Sequence, residues 1–224
     1  MLMWKQLPGG LMEIEICKLT KVYRGKTVFK DLCFKMAPGK SYVIEGPNGS
    51  GKSTLIRIIC GLTRATRGQA LVRLEGNILR NEMLGKHLGL VSPDFNLYEH
   101  LSAQENLVFF AALRRLQVAD GYLQALLSRV QLSSNSSKMP VNLFSSGMKQ
   151  RLKLACAVLH DPQVLLLDEP ATNLDVEGKS LVEEIVTEQR KKNGIVIVAT
   201  NEPEEVAKYG QEVLSLGASC MGHH

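Results

Sequence analysis

"GPNGSGKST", Gly46 to Thr54, lies between the apolar run "SYVIE" from Ser41 and the periodic stretch "LIRIICGL" from Leu55. Its pattern is G-x-x-x-x-G-K-[ST], set after a short buried strand and before a helix. Gly46, Gly49 and Gly51 let backbone N–H groups converge on an anion, and the positive end of the helix faces the same charge. Pro47, Asn48 and Ser50 fill the loop between them. Lys52 supplies a cation for β- and γ-phosphates, the Ser53 hydroxyl is a ligand for Mg²⁺, and Thr54 closes the motif. A Gly-rich turn without a ligand is the alternative, and the number of fixed features in the right context speaks against it.

A second element stands downstream in "VLLLDEP". An apolar run ending in two acids is, by itself, more often a strand meeting solvent. Paired with the phosphate loop, it brings Asp168 to the nucleotide site as a second Mg²⁺ contact, with Glu169 beside it as a general base for water.

The rest of the chain fits an α/β protein. The 224 residues are 45% hydrophobic, enough for one or two domains with a proper core. "MEIEICKLTKVY" alternates as a strand and "GKTVFKDLCFKMAPGK" reads as a second, ended by a Pro-Gly turn. From about residue 87 to 159 the texture turns helical: "SAQENLVFFAALRRLQ", "DGYLQALLSRVQL" and "SSGMKQRLKLACAVL" are amphipathic with polar starts. "GKSLVEEIVTEQRKKNG" is a further helix, and "IVIVATN" a buried strand. Continuous apolar strands alternating with helices predict a largely parallel sheet covered on both faces.

Composition narrows the function. Lys and Arg number 27 against 22 acids, a mild excess read as ordinary surface charge. The cluster Arg57, Arg64, Arg67, Arg73 and Arg80 reads as a solvated face, so no nucleic-acid partner is expected. Five cysteines (Cys17, Cys33, Cys60, Cys156, Cys220) form no C-x-x-C pair and read as reduced core thiols of a cytosolic protein. The longest apolar runs fall short of the roughly 18 residues that span a bilayer, which predicts a chain soluble by itself. Residues 1–11 read as a loose leader, and 218–224 as a tail ending in a natural terminus or a tag remnant.

"FSSGMKQRLKLACAVLHDP" before the acid pair and "ATNLD" after it decide the family. This order, over Met12 to Leu216, strongly resembles the ATP-binding subunit of ABC (ATP-binding cassette) transporters. The resemblance implies a P-loop NTPase core with a mostly parallel sheet, N-terminal antiparallel strands and an inserted α-helical subdomain. The single domain spans 12–217, with the core at 12–90 and 160–217 and the subdomain at about 91–159. It implies ATP and Mg²⁺, a second copy of the chain closing over two nucleotides, and a transmembrane permease subunit. The place implied is the cytoplasmic face of the membrane. Ser145, Ser146 and Gly147 stand where the family's L-S-G-G-Q opens a helix onto the γ-phosphate held by the other subunit, with Ser146 and Met148 departing from it. Tyr23 takes the place of the aromatic that stacks on adenine, and Asp175 with Asn173 that of the loop linking the two sites. The short helical insertion and the lack of a C-terminal regulatory domain resemble compact exporter subunits.

Two positions break the family pattern. Pro93 stands where a glutamine touches Mg²⁺ and water, and proline offers neither a side-chain oxygen nor an N–H. Two readings follow: Asp94 or Ser92 supplies the oxygen, or the loop keeps only its coupling role. Asn201 stands where a histidine contacts the γ-phosphate. Its amide still donates but takes up no proton, and it also reads as the N-cap of a helix beginning at Pro203. The expectation is a modest ATPase with Glu169 as base, Lys52 and Asn201 assisting; the alternative is an ATP-binding regulatory module with little hydrolysis.

Overall fold

The computed structural model describes residues 10–217, so most of the expected leader, the whole tail and Cys220 lie outside it. In chain order the strands and helices are β1 (Met12–Tyr23), β2 (Lys26–Met36), β3 (Ser41–Glu45), α1 (Lys52–Ile59), β4 (Arg67–Leu74), β5 (Asn77–Ile78), α2 (Asn81–His87), β6 (Leu88–Val91), α3 (Ala103–Leu113), α4 (Asp120–Arg129), α5 (Ser146–Val158), β7 (Val164–Asp168), α6 (Val176–Lys191), β8 (Ile195–Thr200), α7 (Pro203–Tyr209) and β9 (Glu212–Ser215). β2, β1, β4 and β5 make one antiparallel sheet; β6, β7, β8, β3 and β9 make a second, wholly parallel one.

The parallel sheet is buried because its strands leave no polar face. Every residue of β7 (VLLLD) and β8 (IVIVAT) is buried. Alternation then divides the core. Val164, Leu166, Ile195 and Ile197 pack with α1 and the antiparallel sheet, whereas Leu165, Leu167, Val196 and Val198 pack with residues of α3, α4, α5 and α6. The inserted helices therefore share their core with one face of the sheet. Truncating one of these strand leucines to alanine costs about 2–5 kcal/mol.

Helix starts follow their capping chemistry. The Ser102 hydroxyl accepts from the Glu105 N–H at 3.2 Å while the Glu105 carboxylate accepts from the Ser102 N–H at 2.8 Å, fixing α3. Ser145 caps α5 and Asp175 caps α6.

Three expectations are corrected and one is refined. Leu88–Val91, inside the stretch read as helical, is a strand paired with β7. Asn201 does not cap α7: Glu202 holds that position, without a side-chain cap bond. The arginine cluster is solvated but not wholly free: Arg64, Arg67 and Arg80 are exposed, while Arg57 pairs with Asp94 and Arg73 with Glu15. Of the described cysteines, which are all free, only Cys156 is buried and Cys33 is exposed. Among the described residues no helix is long and apolar enough to cross a membrane.

Candidate nucleotide site

The carboxyl ends of the parallel strands bring the chemistry-bearing residues to one edge, as expected where open α/β sheets bind ligands. Glu45 is in register with Thr200 on one side and Ser215 on the other, and Asp168 is in register with Ala199. The next residues along, Gly46, Glu169 and Asn201, are thus neighbours although they lie far apart in sequence.

The phosphate loop is braced tightly. A Cβ on Gly46 would stand 2.3 Å from the Leu216 carbonyl oxygen, at a φ of 150°. A Cβ on Gly51, at a φ of 104°, would stand 2.3 Å from Val28 Cγ1 on β2. Only glycine meets both the left-handed backbone and the close approach. The Ser50 N–H donates to the Pro47 carbonyl at 3.1 Å, and Asn48 and Gly49 lie exposed at the tip. Lys52 is buried, and its Nζ donates to the carbonyl oxygens of Gly46 (2.7 Å) and Pro47 (3.3 Å). Its ammonium is held against the loop by these two carbonyls.

Ser53 and Asp168 offer a fitting pair of hard oxygen donors for Mg²⁺. Asp168 is buried and its Oδ1 has no hydrogen-bond partner among the described residues. Burial pushes its carboxyl above the ordinary range; a hydrogen bond from Ser53 opposes this, and the charge of Glu169 adds to it. A buried carboxylate with an open oxygen is costly unless a cation completes it.

Glu169 follows with a left-handed φ of 51°, and its N–H donates to the Ala199 carbonyl at 2.9 Å. It lines a cavity of about 350 Å³ together with Lys179, Thr200, Asn201, Glu205 and Tyr209. Asn201, exposed at the end of β8, also lines a second cavity with Gly46, Pro47 and Asn48. It therefore stands between the phosphate loop and Glu169. Thr200 steadies this corner by accepting the Glu202 N–H at 3.0 Å. The sequence reading missed Thr200 and Glu205; the signal available was the polar run that follows a strand buried throughout.

The other expected residues sit apart. Ser145 and Ser146 are exposed at the start of α5, and the Ser145 hydroxyl accepts from the Met148 N–H at 3.2 Å. Gly147 lies against the Asn173 carbonyl oxygen, where a Cβ would come within 3.0 Å. No described hydrogen bond joins these residues to the phosphate loop of the same chain. Asp175 Oδ1 accepts from the Gly178 N–H at 2.8 Å and pairs with Arg151 at 2.7 Å; together these hold its carboxyl below the usual range. Tyr23 is exposed at the end of β1, whose hairpin with β2 abuts Gly51, and Lys21 Nζ lies 4.3 Å from the ring centroid.

At the Pro93 loop, Asp94 pairs with Arg57 of α1. Lys153 of α5 donates to the carbonyl oxygens of Ser92 (3.3 Å) and Pro93 (3.1 Å).

Comparison with known proteins agrees with this geometry. The family profile described as ABC transporter matches residues 29–172. The uncharacterized ABC transporter ATP-binding protein YybJ of Bacillus subtilis (strain 168) is 31% identical over 194 residues, covering 86% of this chain and 87% of the relative. The lantibiotic transport ATP-binding protein SrtF of Streptococcus pyogenes is 35% identical over 188 residues, covering 84% and 79%. The dimeric post-hydrolysis structure of the ATP-binding cassette MJ0796, bound to ADP and Pi, superposes with a TM-score of 0.79 at 25% identity, covering 91% of this chain and 94% of that one. With the loop, the acid pair and the sheet order arranged as described, the chain belongs to the ATP-binding subunits of ABC transporters.

Proposed function

We propose that this subunit binds and hydrolyses ATP, closes as a dimer over two Mg-ATP, and thereby drives a separate membrane protein from the cytoplasmic face. The observation that carries the hydrolytic reading is Asp168, buried with one oxygen unpartnered beside Ser53 and one residue before Glu169. Ser53 and Asp168 would hold Mg²⁺, which when bound neutralises charge on the phosphoryl oxygens. Lys52 and the loop N–H groups bind the phosphates, Glu169 accepts a proton from water, and Asn201 donates a hydrogen bond toward the phosphate side of that cavity. Tyr23 offers its exposed ring to the base. Ser145 and Ser146, exposed, and the half-buried Gly147 beside them are available to a nucleotide on a second copy, and Asp175 sets the neighbouring loop. A relative named for lantibiotic transport and others named for Nod factor export support export as the direction.

Steady-state turnover with Mg-ATP tests the proposal. Glu169→Gln is expected to lower kcat by about a hundredfold or more while ATP still binds. Lys52→Ala is expected to lose binding. Tight ATP binding by the wild type with no hydrolysis would replace this reading by an ATP-binding regulatory module.

A further inference from the structure

The outer face of the hairpin made by β1 and β2 sets two thiols against each other. Glu15 and Lys35 are directly opposite in the antiparallel register and pair at 3.2 Å, which puts both side chains on one face. Two residues on along β1 and two back along β2, hence on that same face, stand Cys17 and Cys33. The register shifts between Ile16 and Leu19, so Cys17 and Lys18 together face Cys33 in a β-bulge, with Lys18 at a left-handed φ of 46°. The Lys18 N–H donates to Cys33 Sγ at 3.3 Å across the strands. Both thiols line an open cavity of about 1080 Å³ together with Lys18, Asp31, Arg67 and Gln69.

The two sulfurs are unequal. Cys33 is exposed, so a reagent in solution reaches it; Cys17 is half-buried, and burial, with the charge of Glu15 next, pushes its thiol up. Cys60 and Cys156 pack in the two halves of the core, and burial pushes each up to about 12, which removes them as competitors. Opposed residues of an antiparallel pair have Cβ atoms about 4.5–5.5 Å apart, against about 3.5–4.5 Å in a disulfide. Closure takes a shift of about 1 Å, which an unpaired bulge residue can make.

We propose that Cys17 and Cys33 form a redox-active dithiol site whose co-reactant is a low-molecular-weight disulfide of the glutathione type. Cys33, its proton given to solvent, attacks one sulfur of the reagent; the reagent's S–S bond breaks and one thiolate leaves. Cys17 in turn gives its proton to solvent and attacks the Cys33 sulfur of the mixed disulfide, and the second thiolate leaves. Both leaving thiolates take up protons, so two protein thiols are oxidised to one disulfide and the reagent is reduced to two thiols. The bridge encloses the turn that carries Tyr23, Val28 and Phe29, the last two of which lie against Gly51. The chemistry is independent of nucleotide.

The test treats the full chain, reduced and then freed of reductant, with oxidised glutathione, and reads intact mass and peptide maps made without reduction. The wild type is expected to lose about 2 Da, with the bridge mapped to Cys17 and Cys33 and reversed by dithiothreitol. Cys17→Ser is expected to stop at one glutathione on Cys33. Cys33→Ser is expected to react at Cys17 at least about tenfold more slowly than the wild type reacts at Cys33. Unchanged thiols in the wild type, a lasting glutathione adduct on its Cys33, or a bridge to another cysteine or another chain would each overturn the site. Equal rates in Cys33→Ser and the wild type would overturn the order of attack and the assignment with it.

Discussion

The N–H of Glu169 donates to the Ala199 carbonyl at 2.9 Å, which fastens the residue after β7 to β8 two residues before Asn201. Glu169 and Asn201 line one cavity as a result. An asparagine amide there offers N–H donors and carries no charge. Asn201→His is expected to raise kcat several-fold, and Asn201→Ala to lower it by about tenfold or more, within the range for losing a transition-state donor. Turnover at saturating Mg-ATP measures both; equal kcat in all three proteins would remove Asn201 from the reaction.

Asp168 couples stability to its ligand. Its folded-state pKa is raised, chiefly by burial, so the protonated form is the one favoured by folding. Its contribution is therefore present at low pH and lost as pH rises through the raised pKa. Asp168→Asn is expected to stabilise the nucleotide-free protein at pH 7 by about 1–3 kcal/mol. The same variant is expected to lose the extra stabilisation that Mg²⁺ adds to ATP. Thermal melts at pH 4 and 7, with and without Mg-ATP, check both effects, and the gain is expected to shrink at the lower pH.

Tyr23 presents an exposed aromatic face, and its hydroxyl has no hydrogen bond among the described residues. If the face is what binds adenine, Tyr23→Phe keeps ATP affinity and Tyr23→Ala weakens it by about 1–3 kcal/mol, the usual worth of a base stacked on a ring. An affinity titration separates the two, and identical affinities would return Tyr23 to the role of a hairpin residue.

His160 predicts a pH dependence unconnected with nucleotide. Its Nε2 bonds the Leu88 carbonyl oxygen at 2.9 Å, and burial is the main cause lowering its pKa from 6.5 to about 4. A depressed pKa contributes stability that is present above the ordinary value and lost as pH falls through the folded one. Unfolding midpoints are expected to drop between about pH 6.5 and 4, with a shallower drop in His160→Gln.

The parts of the fold legible in the sequence were those with a strong period or a fixed motif. β7 and β8 read as buried strands because they contain no polar residue before Asp168 and Thr200. The helix starts at Ser102 and Ser145 read correctly because their caps are local. β4, β5, α2 and β9 are short or mixed in pattern; β4 is placed by its pairing with the distant β1, and β9 by its pairing with β3. Asn201 was misread as a cap because Pro203 and the acids behind it announce a helix while leaving the cap ambiguous by one residue. The partnership of Arg57 with Asp94 had no sequence signal, since 37 positions separate the two.

Gly46 is packed against the Leu216 carbonyl, and β9 is an edge strand of the sheet beside β3. In the order of synthesis, the glycine-rich loop is made more than 160 residues before the backbone that braces it. A growing chain therefore carries its nucleotide motif without its nucleotide site. The motif is braced only when β9 has joined β3 at the edge of the parallel sheet.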